Sequence, residues 1–145
     1  MKRWIAVLLS VCMLGCCFSA SVFADEVVPV GVIEARFSDF GAVYAYMNYD
    51  ESTGFCHVEG GAATYSSEKW VEVTLTIERY TSANGFQPVD GLSWSVADSF
   101  GTGTQADRDL SRGTYRAHTV AKCYRNGVLL ETVEAYSANV TVPRH

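Results

Sequence analysis

Trp70-Val71-Glu72-Val73-Thr74-Leu75-Thr76-Ile77-Glu78-Arg79-Tyr80 runs with a strict period of two, Val71, Val73, Leu75 and Ile77 alternating with Glu72, Thr74, Thr76 and Glu78. Successive side chains of a strand point to opposite sides, so this pattern makes one apolar and one wet face. The i, i+3, i+4 stripe of an amphipathic helix fits nowhere in it. The segment predicts a half-buried β-strand.

Thr114–Tyr124 repeats the pattern, with Tyr115, Ala117, Thr119, Ala121 and Cys123 opposite Arg116, His118 and Lys122. Asn126-Gly127 follows, a dipeptide suited to the two positive φ angles of a tight hairpin turn. A partner strand is expected from Leu129 to Ala135, running on toward Val142. Weaker strands are expected at 32–37, 41–48, 55–63, 92–96 and 102–107, with loops at 50–54, 65–68, 81–91 and 99–113. Short strands parted by Gly, Asn and Ser predict an all-β fold, one antiparallel sandwich of about seven strands across residues 33–142. A chain of 145 residues suits a single domain.

Residues 1–24 have the parts of a secretion signal: basic Lys2 and Arg3, an apolar stretch from Trp4 to Leu14, and Val22-Phe23-Ala24 before charged Asp25-Glu26. Cleavage after Ala24 is expected, leaving 25–32 as an extended N-terminal segment of a secreted, extracellular protein. Leu14-Gly15-Cys16 offers a rival, since it resembles the end of a bacterial lipobox in which Cys16 is acylated. Met13, where Leu is usual, and the apolar residues continuing through Phe23 favour ordinary cleavage. Membrane contact is expected only if Cys16 is lipidated.

Cleavage reduces the five cysteines to Cys56 and Cys123. An even pair in an exported chain reads as one structural disulfide. The loop-closure model assigns such a bridge roughly 4 kcal/mol. Cys56, Trp70 and Cys123 stand in the order of the two cysteines and the tryptophan of an immunoglobulin sandwich. Trp70, however, lies on the polar register of its strand, and Ala121 occupies the place where a tyrosine corner would need Tyr. An Ig-like sandwich is expected, not a true immunoglobulin domain.

Gly54-Phe55-Cys56-His57-Val58-Glu59-Gly60, the strand 71–80, Gly113-Thr114-Tyr115-Arg116-Ala117, residues 126–132 and Tyr136-Ser137 carry a family likeness. Across about residues 33–140 the chain resembles uncharacterised short secreted Ig-like β-sandwich proteins of Gram-positive bacteria. That resemblance implies an extracellular sandwich and brings no catalytic residue with it.

A net charge of −5 with scattered basic residues argues against nucleic acid or an anionic membrane as partner. His57, with His118 or Asp50, could hold a metal, but paired zinc-ligand spacing is missing, and Cys56 and His57 should diverge as strand neighbours. Asp98, Asp107 and Asp109 could bind calcium, although they lack EF-hand order and suit turns equally well. No nucleophile elbow occurs, and neither histidine has a recognisable Ser and Asp partner. No catalytic residue, cofactor or metal is therefore expected. Asn139-Val140-Thr141 matches a glycosylation sequon, relevant only in a eukaryotic secretory pathway.

Tyr44 and Tyr46 are the sharpest candidates for ligand binding. If Val43, Ala45 and Met47 face the core, the two tyrosines project outward about 7 Å apart. In that register they could stack on sugar rings or anchor a protein interface; in the opposite register they fill the core. The expected function is a secreted or cell-surface non-catalytic module binding an unknown protein or glycan. A structural cell-envelope component, or a small secreted hydrolase or inhibitor, is the alternative.

Overall fold

Eight strands follow one another in the computed structural model, which describes residues 37–143. They are β1 (Phe40–Tyr49), β2 (Cys56–Thr64), β3 (Trp70–Thr81), β4 (Gly85–Ser99), β5 (Gly101–Arg108), β6 (Gly113–Arg125), β7 (Val128–Tyr136) and β8 (Val140–Val142). No helix occurs among the described residues. The expected signal at 1–24, Cys16 within it, the segment 25–32 and nearly all of the strand expected at 32–37 lie outside them.

The strands form two antiparallel sheets, β1-β2-β5 and β4-β3-β6-β7, with β8 paired to the start of β6. The chain crosses between sheets after β2, β4 and β5, which is the Greek-key path of an Ig-like sandwich. The expectation of a single all-β sandwich holds. The extra strand arises where Ser137 interrupts the last one. Its N–H donates to the Ala117 carbonyl at 3.0 Å, and its Oγ accepts the Ala117 N–H at 2.8 Å. The ladder is thus satisfied across the break, and β7 and β8 act as one bent strand.

The alternation in the sequence maps onto burial. Val71, Val73, Leu75 and Ile77 are fully buried, as are Ala117, Thr119, Ala121 and Cys123 of the neighbouring strand β6. Asn126 and Gly127 both take positive φ, 52° and 79°, as the hairpin requires. The loop expected at 81–91 is mostly strand, because β4 is long. It is an edge strand that turns Val89, Leu92, Trp94 and Val96 onto the core, none fully buried, and carries Pro88 and Gly91, so its periodicity is faint. Its inner side is closed by the Arg108 guanidinium lying 4.8 Å over the Trp94 ring.

Two details differ from the expected immunoglobulin marks. Trp70 stays on the polar register and is half exposed, so no buried tryptophan sits on β3. A tyrosine corner does exist, but Tyr115 makes it instead of residue 121. Its ring is buried at the start of β6, and its hydroxyl donates to the Ser111 carbonyl four residues back at 2.8 Å.

Cys56 and Cys123 both lie fully buried on inner faces, one in each sheet, as unbonded thiols. The expected covalent tie is therefore not formed in this structure; core packing joins the sheets, helped at one edge by Glu131 of β7, which accepts the Asp39 N–H at 2.9 Å. The sheets approach closely at Gly60. A Cβ there would collide with Thr119 Oγ1 and come within 2.9 Å of Leu75 Cδ1. The Thr119 hydroxyl is itself buried without a hydrogen-bond partner.

Candidate functional site

Strand pairing turns the outer face of β1-β2-β5 into a grid. Ala42, Ala63 and Gly101 make one row, and Tyr44, Gly61 and Gly103 the next. Tyr46, Glu59 and Gln105 follow, then Asn48, His57 and Asp107. Val43, Ala45 and Met47 are buried, so Tyr44 and Tyr46 take the outward register.

The glycines shape this face. A side chain on Gly61 would meet the Tyr44 ring at 2.7 Å, and one on Gly103 would meet its hydroxyl oxygen at 3.5 Å. Tyr44 therefore lies flat across two bare backbones, the packing by which an aromatic ring covers a strand glycine. Its hydroxyl donates to Glu59 Oε1 at 2.6 Å, which pins the far end of the ring. Burial, then the Glu59 carboxylate, push the Tyr44 pKa up to about 12, so it remains a neutral donor at any physiological pH. Tyr44 and Glu59 also line a shallow hollow of about 200 Å³ with Gly103, Thr104 and Gln105. At one end of the sheet, the exposed Tyr65 ring packs over Gly41 in the same manner.

At the opposite end, His57 Nδ1 meets Asp107 Oδ1 at 2.7 Å, and the Tyr46 ring stands 6.3 Å from the imidazole. Asp50, Thr53 and Phe55 join His57 and Asp107 around a hollow of about 300 Å³. Hydrogen bonds from the Ser52 hydroxyl and N–H hold the Asp50 carboxyl below its usual range. It stays ionised.

The candidate metal ligands do not converge. Cys56 faces the core and His57 the solvent, while His118 lies on the outer face of the other sheet. Asp107 pairs with His57, whereas Asp98 bonds the neighbouring Ser99 N–H. Among the described residues, no group of three or more His, Cys, Asp or Glu could hold a metal ion. No hydroxyl or thiol hydrogen-bonds either imidazole among them. Burial pushes both thiols up, which keeps them protonated and unreactive.

His118 belongs to a separate network on the outer face of β4-β3-β6-β7. Buried Glu78 accepts from Arg116 Nε at 2.7 Å and meets His118 Nδ1 at 3.0 Å. The Arg116 guanidinium lies 4.2 Å from both the Phe86 and the Tyr136 rings, and His118 stacks on Tyr136 at 4.4 Å. His118 Nε2 faces Glu134 Oε2 at 3.4 Å without making a hydrogen bond. The network is a brace across four strands, β4, β3, β6 and β7.

Sequence reasoning missed Glu59, Gln105 and Tyr65. The available signal was the glycine spacing at 60–61 and at 101 and 103, which marks places where a ring can lie against backbone. Only the strand register says which ring does so. No family model matches the chain, and no curated protein matches it.

Proposed function

We propose that this chain is an extracellular, non-catalytic β-sandwich module that holds a glycan on the outer face of β1-β2-β5. The observation that carries this is the Tyr44 ring, laid flat over Gly61 and Gly103 and fixed by Glu59. A pinned ring orders no rotamer on binding, so stacking a sugar on it incurs little entropic cost. Tyr46 extends the platform, while Glu59 and Gln105 supply polar groups to fix the sugar's orientation. The buried thiols, pushed up by burial and so kept protonated, support a binding role over thiolate catalysis.

Replacing Tyr44 and Tyr46 together with Ala is expected to abolish retention on a glycan array. Because both rings are only partly buried, the thermal midpoint should fall by no more than about 5 °C. Unchanged retention, or a collapse of the midpoint, would place these rings outside the binding role.

Export and oxidation belong to the same reading. Residues 1–24 are removed, and Cys56 and Cys123 then pair across the interior; the even thiol count and their inner-face positions on opposed sheets support this. Intact mass of protein from its host should show a chain starting at Asp25 that gains two hydrogens on reduction. A lipid-bearing chain starting at Cys16 would instead support a surface anchor, and native free thiols would remove the bridge.

A further inference from the structure

On the reading that β1-β2-β5 binds a glycan, we infer that its ligand is a polymer of amino sugars with free, protonated amines rather than a neutral or acidic chain. Charge complementarity carries this. None of the outward residues of β1, β2 and β5 is Lys or Arg. Glu59 stands at the centre, Asp107 in the adjoining row, and Asp50 and Glu51 on the turn beside it. Arg108, the basic residue nearest in the chain, points between the sheets onto Trp94. An anionic polysaccharide would approach this face with no lysine or arginine to receive it, and the one outward imidazole, His57, is engaged by the Asp107 carboxylate at 2.7 Å.

The arrangement around Glu59 adds direction to the charge. One of its oxygens is occupied by the Tyr44 hydroxyl, and the other makes no hydrogen bond among the described residues. Glu59 is the cross-strand partner of Tyr46 and the acceptor of the Tyr44 hydroxyl, so its carboxylate adjoins both tyrosines. An ammonium group bound at this carboxylate gains a charge-assisted hydrogen bond, with the two neighbouring tyrosines at hand to pack against the sugar that carries it. A neutral sugar stacked on Tyr44 would cover the carboxylate and leave its charge uncompensated. A protonated amine removes that penalty.

Retention of the full chain on chitosan, chitin, cellulose and polygalacturonate beads tests the inference at mildly acidic pH. Chitosan and chitin share a backbone and differ in whether the nitrogen is free or acetylated. Chitosan should hold the protein roughly tenfold more tightly than chitin, and Glu59→Gln should erase about that factor. Asp90→Asn, which removes the same charge from an exposed site on β4, should leave retention unchanged and thereby exclude bulk attraction of an acidic protein to a polycation. Equal retention on chitosan and chitin, equal loss in both variants, or retention on polygalacturonate would overturn the amine preference while leaving glycan binding in place. Failure to hold any polymer would overturn both readings.

Discussion

Gly60→Ala is expected to destabilise the domain by roughly 2–3 kcal/mol, because overpacking a close-packed interior forces side chains and backbone to move. The added methyl would collide with Thr119 Oγ1 and press on Leu75 Cδ1, both held in fully buried positions on the facing sheet. Leu75 ends in a flexible branch and can shift. Thr119 cannot, since its β-branched side chain is locked on a strand between neighbours. Relief should therefore come from Thr119→Ala. That change removes the clashing oxygen and also removes a buried hydroxyl that has no partner. A double-mutant cycle by urea denaturation should give a favourable coupling of about 1–2 kcal/mol between the two substitutions. Additive effects would mean that the sheets adjust by sliding, and that Gly60 is not where their separation is set.

Glu78→Ala should cost about 2–3 kcal/mol, slightly less than the roughly 3–5 kcal/mol for breaking a fully buried ion pair, since Arg116 keeps some solvent access. The deletion leaves Arg116 Nε and His118 Nδ1 without their shared acceptor. Arg116 would retain its stacking between Phe86 and Tyr136, which limits the loss. Glu78→Gln keeps one carbonyl oxygen for Arg116 and should cost about half as much. Chemical denaturation midpoints of the three proteins decide this. A shift under about 0.5 kcal/mol for the alanine variant, the range of ordinary surface changes, would show that the network adds nothing to stability.

The two predictions act on opposite faces of the same logic. Gly60 limits how near the sheets may come, and the Glu78 network braces the four strands of one sheet against sliding. Gly60 stands between Glu59 and Gly61 in β2 but faces the core, and Glu78 lies on the other sheet. Glycan retention should therefore survive both substitutions wherever the domain remains folded.

Strand existence and facing were legible in the residues themselves. Val71 to Ile77 and Tyr115 to Cys123 alternate because each strand has one buried and one wet side, and a period of two needs no tertiary information to be seen. The Asn126-Gly127 turn was equally readable, since few dipeptides accept positive φ twice. Edge strand β4 was readable only over 92–96; its first half was not, because a strand that buries few residues leaves a weak pattern. Tyr115 was passed over as the corner residue because its hydroxyl finds Ser111 only after the chain turns back on itself.

Local sequence thus determined the fold class, the half-buried character of the strands and the pairing of Tyr44 with Tyr46 on one face, for all of these follow from alternation along the chain. Tertiary structure alone decided that this face is the outer one, that two glycines lie beneath Tyr44 with Glu59 holding its hydroxyl, and that His57 and His118 belong to opposite sides. The physical reason is register: which residues become neighbours across strands depends on long-range pairing, and a shift of one position would turn each tyrosine into the core.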